Sequence, residues 1–235
     1  MKDLFYELLI TEFKKTEIGG DYQLKIENNT LWIFLEESNG KDDNVNNLLF
    51  FPKFDELTGI KYHGNLLKVW LSIEKEIIDY IIDNIFHKII LVGYSHGAGL
   101  SIIGNQRICK IREDIKDNVI TFAFEPPKVV YGSVKNATNI DNIHIFIHGN
   151  DLITKLPPSI FNYHHIGCIY KIGNSETLKY HFATPSFIKN EKLDKIYQSI
   201  IKTYNYHYYR NILDALTIFD NDNPNFLNKK IRRME

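Results

Sequence analysis

The chain has 235 residues, 44% of them hydrophobic, enough to bury the core of one domain of generous size. Its 28 basic and 29 acidic residues are scattered and leave a formal net charge of -1, which argues against a nucleic-acid partner. Two cysteines, Cys109 and Cys168, fall in neither a metal nor a redox spacing and read as buried thiols, and no apolar run approaches the length of a transmembrane segment.

Residues 1 to 10 interleave acids with apolar residues and lack the features of a signal peptide. An amphipathic helix and a cytoplasmic location are therefore expected, although leaderless export leaves no mark in a sequence. Tyr22 to Glu27 alternates polar and apolar residues, Asn28-Asn29 turns, and Thr30 to Leu35 is a hydrophobic strand, which together suggest an antiparallel pair. Glu36 to Asn47 is a polar loop. The apolar cluster Leu48 to Phe51 before Pro52 reads first as a strand ending at the proline. As the alternative, Phe50 and Phe51, with Tyr94, are candidate acyl contacts of a substrate site.

Leu66 to Phe86 carries apolar residues at helical spacing, including Leu67, Trp70, Leu71, Ile77, Ile78, Ile81, Ile82 and Ile85. The strand Ile89 to Val92, a helix from about Gly97 to Arg112, and the strands Val119 to Phe124 and Ile143 to His148 follow in order. Strands alternating with helices predict parallel βαβ units and an open α/β sheet, whose sites lie beyond the carboxyl ends of the strands. Turns and short strands surround His164, His165 and Ile166 to Ile172, and helical patterns cover Leu193 to Tyr204 and Tyr208 to Phe219. Residues 1–219 are expected to form a single domain, and 220–235 a polar tail prone to fray. Nothing in the sequence sets the oligomeric state.

Gly93-Tyr94-Ser95-His96-Gly97 stands where an apolar strand stops and a small-residue helix begins. That is the strand, sharp turn and helix of a G-x-S-x-G nucleophile elbow. The turn forces the serine into a strained backbone conformation, and side chains at 93 or 97 would collide with the neighbouring strand or helix. It also presents the hydroxyl at a helix N-terminus, where the His96 amide can stabilise developing negative charge. The alternative is a glycine-rich βα turn with a serine helix cap.

A serine nucleophile needs a base, and the base needs an acid. With the acid expected after a later strand, Asp151 fits, whereas Asp141 precedes its strand at the wrong edge of the sheet; an Asn-Asp turn is the other reading of Asp151. Of nine histidines, order removes His63 and His87, and His96 is held beside Ser95 with its ring turned away. His144 and His148 share one face of a strand beneath a helix. His164, His165, His181 and His207 remain, with His207 favoured because it interrupts two helices where a loop can carry it back over the sheet.

From about Leu31 to Leu216 the chain resembles the class 3 lipases, fungal-type triacylglycerol lipases and their bacterial relatives within the α/β-hydrolase fold. Val92 to Gly99 is similar to the family's elbow, Thr121 to Pro127 to the strand and turn after it, Gly149 to Pro158 to its acid motif before Leu-Pro-Pro, and His207-Tyr208-Tyr209 to its C-terminal base. His63-Gly64 matches another family feature, while Tyr163 to Gly167 resembles a strand without a catalytic part. The resemblance implies an α/β-hydrolase fold with a mostly parallel central sheet flanked by helices, and Ser95, Asp151 and His207 as nucleophile, acid and base, with His181 in reserve. It also implies an oxyanion hole at His96 and Ser38, no metal or cofactor, and hydrolysis of carboxylic esters of lipids, including at a lipid-water interface. An esterase, thioesterase or phospholipase with the same triad, and a catalytically impaired binding protein, are the alternatives. One departure stands out. Where the family reads Phe-Arg-Gly-Thr or Phe-Arg-Gly-Ser, this chain has Leu35-Glu36-Glu37-Ser38, two carboxylates beside a site of developing negative charge.

Overall fold

The computed structural model describes residues 1–36, 51–173 and 207–232. In chain order they form α1 (Lys2–Ile10), β1 (Tyr22–Glu27), β2 (Thr30–Leu35), β3 (Pro52–Asp55), β4 (Ile60–His63), α2 (Gly64–Asp83), β5 (Lys88–Tyr94) and α3 (His96–Ile111). There follow β6 (Val119–Phe124), β7 (Val130–Tyr131), β8 (Ile143–His148), β9 (Tyr163–His164), β10 (Cys168–Ile172), α4 (Tyr209–Asp222) and α5 (Phe226–Arg232), with short 3-10 turns between some of them.

β5 and β6 are buried at every position because both faces of their sheet are covered. The six strands run in the order β1-β2-β5-β6-β8-β10, with β1 antiparallel to β2 and the other pairs parallel. Ile89 and Leu91 face a core shared with Trp70 of α2 and Leu100 of α3. Ile90, Val92 and Tyr94 face a second core shared with Phe5 of α1 and with Ile212 and Leu216 of α4. Alternation along a strand thus feeds two helical layers, as expected for a mostly parallel α/β sheet.

Several elements correct the sequence reading. A second, antiparallel sheet of order β3-β4-β7-β9 was not anticipated. Pro52 opens β3 instead of ending a strand, since a proline at the first position removes no hydrogen bond from the middle of a ladder. Leu48 to Phe50 lie outside the described residues, as does the expected helix Leu193 to Tyr204. α2 ends at Asp83, so Ile85 falls beyond it and is exposed, and Leu71 and Ile82 are exposed as well. Residues 226 to 232 are helical, with Phe226, Leu227 and Ile231 packed on the core beneath, so this part of the tail is ordered by three apolar side chains at helical spacing. Cys109 is buried as expected, whereas Cys168, on the outermost strand β10, is half-buried.

Candidate active site

The elbow is built by steric exclusion. A Cβ on Gly97 would overlap the carbonyl oxygens of Leu35 and Glu36, the latter at 2.5 Å, and one on Gly93 would meet the Ala98 amide at 2.6 Å. β2 and α3 can therefore approach only where side chains are missing. Ser95 carries the expected strain, with φ 54° and ψ -117°, and its amide donates to the Phe124 carbonyl at 2.9 Å. It caps α3, whose first amide after it is that of His96.

Asp151 lies three residues beyond β8, fully buried. Its Oδ1 accepts the Ile153 amide at 2.9 Å. Its Oδ2 is 2.7 Å from His207 Nδ1, and His207 Nε2 is 2.8 Å from Ser95 Oγ. Burial alone would raise the Asp151 carboxyl, but the charge and hydrogen bond of His207 outweigh it and hold the group below the ordinary carboxylate range. One imidazole thus bridges a hydroxyl and an anionic carboxylate, the arrangement that transfers a proton from the first while the second steadies the resulting cation.

The other histidines are otherwise engaged. His164 pairs with Asn162 Oδ1 at 2.9 Å, and buried His165 meets the Thr154 carbonyl at 2.8 Å. His144 lies among Phe122, Tyr170 and Phe226, beneath α5. His148 is fully buried. The His96 ring is buried, with Nδ1 lacking a hydrogen-bond partner among the described residues, and burial followed by repulsion from His63 lowers it to about 4. His181 lies outside the described residues.

Of the expected oxyanion donors, His96 offers its amide at the start of α3, while Ser38 and Glu37 are outside the described residues. The Glu36 carboxylate pairs with Lys15, which also reaches Asp21 at 3.1 Å, so its negative charge is answered by the segment before β1. The structure places Tyr94, expected as an acyl contact, against the base. Its ring is buried, stacked on the His207 ring at 5.0 Å and edge-on to Phe5 at 5.4 Å, and its hydroxyl donates to the His207 backbone carbonyl. Period-2 alternation explains this, since Tyr94 follows Ile90 and Val92 onto the face covered by α1 and α4. Phe51 is 75% exposed, and Phe50 is outside the described residues.

One residue beside the triad was missed. Glu125, directly after β6, is fully buried, has φ 52°, and accepts the His148 amide on Oε1 at 2.5 Å. An acid closing an apolar strand before Pro126-Pro127, parallel to Asp151 before Leu-Pro-Pro, was the available signal. Candidate ligand atoms of Glu125, Asp151 and His207 lie within 4.8 Å of one another, but His207 directs its two nitrogens at Asp151 and Ser95.

A sequence profile described as Lipase (class 3) matches residues 33–161, more than half of the chain. The chain belongs to the class 3 lipase family. The matched segment takes in the elbow, Glu125 and Asp151 but stops before His207, whose position beside Ser95 comes from the three-dimensional arrangement. No curated protein sequence matches this family member. Among solved structures it is similar to the Rhizomucor miehei triacylglyceride lipase, with 19% identity and a TM-score of 0.61 over 69% of this chain and 65% of that one. The lipase of Rhizopus microsporus var. chinensis gives 16% and 0.58 over 69% and 60%, and lipase II of Rhizopus niveus 16% and 0.57 over 68% and 65%. These likenesses establish the α/β fold of the family, and the chain spans less than two thirds of the length of each structure. Among the described residues no helix is long and apolar enough to cross a membrane.

Proposed function

We propose that the protein is a serine hydrolase that cleaves carboxylic esters of lipids through an acyl-enzyme. The observation that carries this reading is the His207 ring held between Ser95 Oγ at 2.8 Å and Asp151 Oδ2 at 2.7 Å. His207 Nε2 takes the Ser95 proton as Oγ attacks the ester carbonyl, and the same proton then passes to the leaving alcohol. Asp151 stabilises the imidazolium between the two steps. The His96 amide, with that of Ser38, holds the tetrahedral oxyanion, and a water activated by His207 releases the acid. Membership of the class 3 lipases, and the triacylglyceride lipase named among the similar structures, support a lipid ester as substrate, and a similar fungal lipase-inhibitor structure described as a model for interfacial activation supports a lipid-water interface as the place where it is met.

A fluorophosphonate probe tests the reading. The wild-type protein is expected to take the label at Ser95 and to hydrolyse long-chain acyl esters, and Ser95→Ala to do neither, with turnover lowered about a millionfold, the scale seen when a triad serine is removed. A wild-type protein that takes no label, or a Ser95→Ala variant that labels equally well, would sink it.

A further inference from the structure

Behind the triad stands a second buried carboxyl. Glu125 and Asp151 follow the neighbouring parallel strands β6 and β8, and the chain turns at Glu125 through a left-handed conformation, φ 52°, that side chains other than glycine seldom adopt. Its amide donates to the Phe146 carbonyl at 2.9 Å, which fixes this turn to β8. Local strain at a buried position points to a constraint imposed from outside the turn.

The two oxygens of Glu125 differ. Oε1 accepts the His148 amide at 2.5 Å, while Oε2 is buried and has no donor when the group is written as a carboxylate. Asp151 is the carboxyl beside Glu125, with an oxygen of each within 4.8 Å of the other. Two fully buried carboxylates this close disfavour joint ionisation, and the unpartnered Oε2 is where a proton would sit. Asp151 has the better claim to the negative charge, with the Ile153 amide on one oxygen and His207 Nδ1 on the other. Among the described residues Glu125 has the His148 amide alone.

We propose that Glu125 is a positioning residue that acts as a neutral carboxylic acid, its Oε2 hydroxyl donating to the Asp151 carboxylate while Oε1 accepts the His148 amide. Asp151 then has three donors, from Ile153, His207 and Glu125, and cannot rotate away from the imidazole without breaking at least one. The proton stays on Glu125 throughout the reaction. Burial first, then the charge of Asp151, raises the Glu125 carboxyl well above the ordinary range, in keeping with this state. The proposal rests on the Ser95-His207-Asp151 reading and extends it by one residue.

Two variants and one spectrum test it. Glu125→Gln keeps a neutral donor and an acceptor in the same places, and is expected to hydrolyse esters and react with the fluorophosphonate probe within a few-fold of wild type. Glu125→Ala is expected to lose about ten- to a hundredfold in kcat with little change in KM, by analogy with the loss on removing the outer-shell partners that orient metal-ligating histidines. Infrared spectra at neutral pH are expected to show the carbonyl stretch of a buried protonated acid in wild type and to lack it in Glu125→Gln. Glu125→Ala as fast as wild type, or Glu125→Gln as slow as Glu125→Ala, overturns the proposal. If Glu125→Ala does not fold, the infrared band decides, and its absence from wild type overturns the proposal. A wild type that takes no probe instead removes the hydrolase reading, whereas the infrared result still reports the state of Glu125.

Discussion

The two halves of the candidate site are held by different forces. On the nucleophile side, Ser95 is fixed by close backbone approach, with Gly97 under the Leu35 and Glu36 carbonyls, Gly93 against the start of α3, and the Ser95 amide on the Phe124 carbonyl. On the acid and base side, His207 is fixed by side chains from distant parts of the chain, through hydrogen bonds to Ser95 and Asp151 and a stack on Tyr94. The first is rigid because atoms are missing, the second because polar groups are satisfied. A substitution that adds one carbon should therefore ruin the first half, whereas the second should weaken by degrees.

Gly97→Ala tests this contrast most severely. The new methyl meets two carbonyl oxygens of the strand end, a backbone obstruction that no rotamer relieves. We expect a loss of about 3 kcal/mol or more in urea unfolding, at or beyond the upper end for overpacked cores, together with loss of probe labelling at Ser95. Normal stability and labelling would break the claim that close backbone approach holds the elbow.

Acid should strain both halves together. Burial lowers His96, beside the elbow, and His165, bonded to the turn after Asp151, to about 4, and lowers His144 to about 3. Unfolded histidines titrate near about 6.5, so in that window the unfolded chain binds more protons than the folded one. Stability therefore rises with pH there, and is lost as pH falls from about 6.5 towards about 4, by up to about 1.4 kcal/mol per pH unit for each histidine. Glu125, its carboxyl raised well above the ordinary range by burial and the charge of Asp151, opposes this by one proton. Urea titrations across this range measure the net slope, and His144→Phe is expected to reduce it by about half.

The smallest effect is expected at Tyr94. Tyr94→Phe keeps the stack on His207 and removes the hydroxyl that donates to its carbonyl, costing about 1 kcal/mol, or about fivefold in ester turnover. Tyr94→Leu removes the stack too and should cost about 1 kcal/mol more. Equal rates for both variants would show that the hydrogen bond, and not the ring, holds the base.

What was legible in the sequence follows from how local each signal is. Gly93, Ser95 and Gly97 declare the elbow because the three lie within one turn, and β5, β6 and β8 declare themselves by apolar runs that need no partner to be recognised. The sheet of β3, β4, β7 and β9 left little trace, since two of its strands have only two residues each and pair across long separations. The helix at Phe226 was hidden by its polar surroundings, because only three of its residues face the core. The place of Tyr94 against the base was not legible, because it depends on where His207, 113 residues further along the chain, returns to the end of β5.

By itself, then, the sequence determined the α/β alternation, the elbow and the order of serine, acid and histidine, since each depends on residues within a few positions of one another or on chain order. Only the tertiary structure decided among the histidines it describes, turned the Glu36 carboxylate toward Lys15, and brought Glu125 beside Asp151. Those outcomes depend on distances between side chains 21 to 112 residues apart in the case of Glu36 with Lys15 and His207 with Ser95. Such distances are set by how strands and helices pack, which no local pattern of residues records.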